Sequence, residues 1–100
     1  MFTGLVERIA KVTGLVRSGE IFELEIGDVP FDWELKRGDS ISVSGVCLSV
    51  VVSKRGSFTA QMMPETLENT ILGSIKPGYR VNLERAMPAS GRFEGHIVTG

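Results

Sequence analysis

The sequence is poor in the residues that build metal sites and cross-links: it has one cysteine and one histidine among 100 residues. One cysteine cannot form an internal disulfide, and the two residues together cannot complete a four-ligand zinc site. The net charge of −1 provides no basic stripe for a nucleic-acid backbone. Apolar runs never exceed three residues, whereas a membrane-spanning helix needs about 20. These shortages argue against a disulfide framework, a closed zinc site, a nucleic-acid backbone as partner and a membrane-spanning helix.

The composition otherwise describes an ordinary folded domain. Apolar residues make up 42% of the chain, close to the globular average, and 100 residues is the size of one domain covering 1–100. Glu7, Arg8 and Lys11 occupy the region where a secretory signal would be apolar. We therefore expect a reduced, cytoplasmic domain without a resident metal.

Short segments rich in Val, Ile, Phe and Thr alternate with Gly and Pro, which predicts an all-β sandwich or barrel. In the segment 46–53, two-residue alternation predicts that Val46, Leu48, Val50 and Val52 share one face, opposite Cys47 and Ser49. Lys54-Arg55-Gly56 predicts a hairpin turn. Similar alternation marks further half-buried strands at 22–26, 40–44, 57–62 and 80–84.

One segment has the signature of a short helix instead. Pro64 stands at its front, acidic residues follow in the first turn, and Gly73 comes just after Leu72. Phe31 to Leu35 is predicted to form a single turn with Trp33 half-buried. The fold class predicted from these patterns is all-β: a six-stranded antiparallel barrel closed by one short helix.

Few side chains carry chemistry on pattern alone. Cys47 is either a small buried hydrophobe or part of a half-polar strip that a flat heteroaromatic ligand covers. Glu65 and Thr66 either balance the helix dipole or grip a polyhydroxyl chain at the helix start. His96 is either structural or a general acid or base. These alternatives stay open at this point.

Several motifs, in this order along the chain, resemble the N-terminal barrel of the riboflavin synthase family. They are Met1-Phe2-Thr3-Gly4, Gly45-Val46-Cys47-Leu48-Ser49-Val50, Glu65-Thr66-Leu67, the segment 81–86 and Gly95-His96-Ile97-Val98-Thr99-Gly100. The resemblance implies a Greek-key barrel that is the N-terminal half of a two-barrel chain. It also implies a transferase that converts two molecules of 6,7-dimethyl-8-ribityllumazine into riboflavin and 5-amino-6-ribitylaminouracil, with no cofactor.

The resemblance also assigns roles to individual positions. By it, the catalytic residues are Phe2, Thr3, Ser40, Cys47 and His96. By it, the residues that bind the lumazine ring and ribityl chain are Cys47, Leu48, Ser49, Gln61, Met63, Glu65, Thr66 and Gly100. The implied partners are ribityllumazine, riboflavin and a second barrel of the same family, in a homodimer of this chain or a trimer of the two-barrel chain.

Two other functions compete with this interpretation. A non-catalytic lumazine- or flavin-binding protein would share the barrel, but such proteins tend to lose the Cys and Glu-Thr-Leu features that this chain keeps. An oligonucleotide- or oligosaccharide-binding barrel would need a basic groove and stacking aromatics, which the sequence lacks.

Overall fold

The fold is a closed antiparallel barrel of six strands. The computed structural model describes residues 2–63, 66 and 74–87. Around the barrel the strands follow the order β1-β2-β5-β4-β3-β6, and every neighbouring pair is antiparallel. Strand β2 lies beside β5, which closes a Greek key with the consecutive strands β3, β4 and β5. The strands are β1 Arg8–Ser18, β2 Ile21–Gly27, β3 Ser40–Val43, β4 Val46–Lys54, β5 Ser57–Met62 and β6 Arg80–Arg85.

The core is the barrel interior, filled by the alternate apolar residues of each strand. Phe58, Leu24 and Ile41 have at most 1% of their surface exposed, and burial of such a side chain stabilises the fold by roughly 1.5–3 kcal/mol. Ala60 and Met62 are buried beside Phe58 on β5, as the alternation predicts. The predicted six-stranded antiparallel barrel is therefore confirmed.

A bulge in β4 makes one part of the strand prediction wrong. Val50 pairs with Ala60 and Val52 pairs with Thr59, so Val51 is an extra residue on β4. An extra residue reverses the alternation beyond it. Val50 is consequently buried, whereas Val52, predicted to share its inward face, is 45% exposed.

Strand β1 was not among the strands marked by alternation, and its geometry gives the reason. Val12 pairs with Ile26 and Gly14 pairs with Glu25, which leaves Thr13 unpaired as a second bulge. Ala10 and Val12 point into the core before the bulge. Val16 beyond it is 60% exposed, so the strand has no continuous two-residue pattern.

Two tight hairpins set the register of β3, β4 and β5. Ser44 and Gly45 join β3 to β4 with φ of 49° and 87°, as a type I′ turn requires at both positions. Arg55 and Gly56 join β4 to β5, which confirms the predicted turn. Gly56 has φ of 85°, and a Cβ there would stand 2.7 Å from the Phe31 ring, so both backbone and space favour glycine.

The predicted helix at 64–73 lies outside the described residues except for Thr66, which has helical conformation. Trp33 is half-buried against the core, as predicted. Its main-chain N–H donates to the carbonyl of Pro30 at 3.1 Å. No helix long and apolar enough to cross a membrane occurs in the part of the chain that the structure describes.

The β4 bulge predicts that replacing Val50 and replacing Val52, two residues apart, lower the free energy of unfolding by very different amounts. Val50→Ala should lower the free energy of unfolding by about 2 kcal/mol, because it removes two buried methyl groups. Val52→Ala should change it by less than about 0.7 kcal/mol, because that side chain is largely exposed. Urea denaturation measures both values, and equal losses would contradict the bulge.

Candidate functional site

Polar side chains from three strands form a row on the outer face of the barrel. Ser40 on β3 pairs with Ser49 on β4, and Ser49 pairs with Gln61 on β5. Ser49 and Gln61 are exposed, and Ser40 is half-buried. Residues opposite one another on antiparallel strands have Cβ atoms about 4.5–5.5 Å apart. Three of the residues assigned to the site by resemblance are therefore neighbours.

A second row runs beside the first, one pleat along. Glu84 on β6 pairs with Ser42 on β3, and Ser42 pairs with Cys47 on β4. The Cys47 thiol is exposed, which excludes the alternative that it is a small core residue. Cys47 is diagonal to Ser40 across the β3–β4 pair, and such diagonal neighbours are about 7–8 Å apart.

Leu48 differs from the other residues assigned to ligand binding. Its side chain is 5% exposed and belongs to the core cluster. It points inward between Cys47 and Ser49, which point outward. A part for Leu48 in ligand binding stays a prediction, and only its main chain lies on the face that carries the polar rows.

The exit from β5 continues the same surface. Met63 follows Gln61 and Met62 and is 51% exposed. Its thioether side chain is therefore accessible to solvent next to the end of the first row. The Thr66 N–H donates to the carbonyl of Met63 at 3.0 Å. Glu65, His96 and Gly100 lie outside the described residues, and their assigned roles stay predictions.

The segment 2–7 borders the second row from the β6 side. Glu84 lies on the outer face of β6, yet it is only 8% exposed because this segment covers it. Its Oε2 accepts the Thr3 N–H at 2.6 Å and the Thr3 hydroxyl at 2.8 Å. Its Oε1 accepts the Gly4 N–H at 3.0 Å. Phe2 is half-buried next to these contacts in the chain.

These hydrogen bonds also set the charge state of the Glu84 carboxyl. The N–H of Thr3 lowers the pKa of Glu84 below its ordinary value, and the Thr3 hydroxyl and Gly4 N–H act in the same direction. Partial burial and the nearby Glu7 carboxylate oppose the change but do not reverse it. Glu84 is therefore an anion at neutral pH, with each hydrogen bond charge-assisted.

A second contact ties down the other end of the same segment. Arg85 donates its main-chain N–H to Glu7 Oε1 at 2.8 Å, and its guanidinium pairs with Glu7 Oε2 at 2.9 Å. The Arg85 guanidinium also lies 4.4 Å from the centroid of the Trp33 ring. An exposed ion pair alone contributes about 0–1 kcal/mol, so the combination of three contacts fixes this end.

The segment and the barrel enclose a small groove of about 100 Å³. Gly4 and Val6 form one side, and Ser42, Gly45 and Asn82 form the other. A groove of about 310 Å³ lies elsewhere, on the β1–β6 pair beside Lys11 and Arg80, and is lined by none of the residues assigned to the site. Among the described residues no group of three His, Cys, Asp or Glu side chains converges on a metal position.

Sequence reasoning missed the role of Glu84. The alternation of 80–84 places it on the outer face, but its partners Thr3 and Gly4 are about eighty residues away. No local pattern reports a contact of that separation. The only available signal was a carboxylate on the outer face of a strand that is flanked by buried Leu83.

Comparison with known proteins places this arrangement in a family. Residues 3–86 match the profile of the lumazine binding domain. The chain belongs to the lumazine-binding domain family. The match spans β1 to β6 and both polar rows, whereas the assigned residues Phe2, His96 and Gly100 lie outside it.

Relatives within this family are similar over the whole chain. It is 45% identical to riboflavin synthase of Actinobacillus pleuropneumoniae, over 100% of this chain and 46% of that protein. It is 48% identical to riboflavin synthase of Mycobacterium bovis, over 100% of this chain and 50% of that protein. The chain thus spans about half the length of these relatives.

Solved structures share the fold of this lumazine-binding domain. A crystal structure of LumP complexed with riboflavin matches with a TM-score of 0.75, and one complexed with flavin mononucleotide with 0.76. Both are 22% identical, over 85% of this chain and 47% and 49% of those chains. At that identity the likeness supports the barrel fold and not a shared ligand.

The lowered pKa of Glu84 predicts an acid-sensitive attachment of the segment 2–4. A carboxyl whose pKa is lower in the folded state stabilises that state above its unfolded pKa and loses the effect as pH falls through the folded pKa. The amide shifts of Thr3 and Gly4 should therefore titrate with a midpoint below the ordinary pKa of a glutamate carboxyl. NMR spectra recorded from neutral pH downward measure it, and a midpoint at or above that value would contradict the contact.

Proposed function

We propose that this chain is the N-terminal lumazine-binding barrel of a riboflavin synthase. The reaction is the dismutation of two molecules of 6,7-dimethyl-8-ribityllumazine to riboflavin and 5-amino-6-ribitylaminouracil. The observation that carries the proposal is the pair of adjacent polar rows on β3, β4 and β5, which bring Ser40, Cys47, Ser49 and Gln61 together. Similarity to riboflavin synthases at 45% and 48% identity, over the whole of this chain and about half of each relative, supports it.

The two rows fit a flat heterocycle with a polyhydroxyl tail. Ser49 and Gln61 present a hydroxyl and an amide, which can both donate and accept hydrogen bonds at the ring edge. Met63, Glu65 and Thr66 hold the ribityl chain; the exposed side chain of Met63 next to Gln61 supports this. Cys47 adds a soft, polarisable surface under the ring.

The chemistry needs proton transfer and positioning. The lumazine methyl group beside the ring is acidic because its carbanion delocalises into the heterocycle. Ser40 and Cys47, diagonal neighbours on β3 and β4, assist nucleophile addition and relay protons, and His96 acts as a further acid or base. Holding two rings face to face lowers the barrier by about 7–11 kcal/mol, because the loss of translational and rotational freedom occurs on binding and not in the chemical step.

Ligand titration tests the proposal. The chain should bind 6,7-dimethyl-8-ribityllumazine with saturable quenching of ligand fluorescence at one site per barrel. Ser49→Ala should weaken binding by about fivefold to tenfold, the value of one or two hydrogen bonds. Ser53→Ala is the matched control, because Ser53 is exposed near the far end of β4 and outside both rows, and its affinity should stay within about twofold of wild type.

The outcomes separate the candidate functions. Saturable binding together with riboflavin formation supports the synthase. Binding without turnover, even after addition of the C-terminal half of a riboflavin synthase, would favour the non-catalytic ligand-binding protein. Absence of saturable binding would overturn the proposal.

We further propose that this barrel pairs with a second barrel through an apolar patch formed by Leu5 and Val6 of the segment 2–7 and by Ile9 of β1. Leu5, Val6 and Ile9 are 71%, 53% and 57% exposed, and Val6 also lines the small groove. Adjacent exposed apolar side chains of this kind mark contact surfaces. The chain spans about half of its relatives, which supports a second barrel as the partner.

Sedimentation velocity tests the pairing. The chain alone should form a homodimer, and Ile9→Lys should shift it to monomer by placing a charge in the patch. Val16→Lys is the control, because Val16 is similarly exposed on the same strand beyond the bulge and outside the patch, and this variant should remain dimeric. A monomeric wild type, with and without riboflavin, would reject the pairing.

A further inference from the structure

The Glu84 carboxylate is unusual among the acidic residues of the described chain because it lies in the second polar row and is largely covered by the segment 2–7. It shares the row of Ser42 and Cys47 on the outer face. It is the buried charged residue of the described part of the barrel, at 8% exposure. A buried carboxylate is tolerated only where hydrogen bonds replace its water. Here all three donors come from Thr3 and Gly4.

The contact is specific for a carboxylate. One oxygen accepts two donors from Thr3, and the other accepts the Gly4 N–H. A glutamine has one acceptor oxygen and one NH₂ group. Whichever way the amide of a glutamine is turned, its NH₂ would meet an N–H donor, so at least one of the two sides would be broken.

The segment held in this way borders the proposed ligand surface. Gly4 faces Ser42 and Gly45 across the small groove. The Thr3 hydroxyl also accepts the Leu5 N–H at 3.2 Å, which closes a local turn in the segment. Gly4 has φ of 85°, and the main chain of the segment bonds to β6 at Glu7, whose N–H donates to the Leu83 carbonyl at 2.9 Å. The position of residues 2–4 therefore depends on Glu84 and not on strand pairing.

We infer that Glu84 is a positioning residue for the ligand site: its carboxylate binds Thr3 and Gly4 and so holds the segment whose Gly4 and Val6 form one side of the groove, opposite Ser42. The inference rests on the proposed function, because it is the lumazine that this segment borders. Glu84 acts through this segment, because both of its carboxylate oxygens accept hydrogen bonds from Thr3 and Gly4.

The test compares two glutamate-to-glutamine variants at residues that each accept a threonine hydroxyl; only at Glu84 do donors meet both carboxylate oxygens. Glu84→Gln should weaken the binding of 6,7-dimethyl-8-ribityllumazine on the order of tenfold and shift the Thr3 and Gly4 amide resonances toward values of an unstructured segment. Glu25→Gln is the control, because Glu25 accepts the Thr13 hydroxyl at 2.9 Å on an exposed part of β1 and β2 away from the site. Its affinity should stay within about twofold of wild type.

A second variant releases the segment without changing the barrel. Gly4→Pro removes the N–H that Glu84 Oε1 accepts and cannot adopt the positive φ of this position. It should weaken ligand binding to a similar extent as Glu84→Gln. Affinities are measured well below the unfolding temperature, where a merely structural role would leave the affinity of the folded protein unchanged.

The outcomes separate this inference from the proposed function. If wild type binds and both site variants bind equally well while their Thr3 and Gly4 resonances show a released segment, the positioning role is overturned and the proposed function stands. If wild type itself fails to bind, the proposed function is overturned and the inference falls with it. Weakened binding in both variants, with the Glu25→Gln control unchanged, supports the inference.

Discussion

The closed barrel has a single interior, and side chains of each strand point alternately into it and away from it. Every apolar residue that fills the interior therefore forces its neighbours onto the outer face. Ile41, Leu48 and Ala60 are buried, so the residues on either side of them face outward. Because the hairpins at Ser44-Gly45 and Arg55-Gly56 fix the register, those outward residues lie side by side. The polar rows that carry the proposed function are a consequence of core packing.

The segment 2–7 lies against the outer surface of the barrel and forms one side of the small groove there. Two acidic residues fasten that segment: Glu84 by three hydrogen bonds, and Glu7 by its pair with Arg85. Arg85 also stacks near Trp33, which connects the fastening to a half-buried side chain packed on the core. The segment 2–7 is thus held by charge-assisted contacts at both ends. The polar rows beside it are positioned by the hydrophobic core under the strands.

The sequence was most informative where alternation is uninterrupted. The inward positions of β5 follow directly from Phe58, Ala60 and Met62, and the glycine turn at Gly56 follows from its position between two strands. Alternation failed at the two bulges, because one extra residue reverses every side chain beyond it, as at Val52, and hides a strand altogether, as in β1. The site residues of β3, β4 and β5 came from resemblance, and periodicity alone could only place Cys47 and Ser49 on a shared face. Glu84 escaped both approaches because its role depends on partners from the other end of the chain.

The central claim is that the ligand lies on the outer face of β3, β4 and β5 against the segment 2–4, and chemical-shift mapping tests it most directly. Spectra of the ¹⁵N-labelled chain are recorded during addition of 6,7-dimethyl-8-ribityllumazine. The account predicts that the largest shifts fall on Thr3, Ser42, Cys47, Ser49 and Gln61, while amides along the groove of Lys11 and Arg80 stay within the baseline. Large shifts confined to that β1–β6 groove, with the β3–β5 rows unchanged, would contradict it.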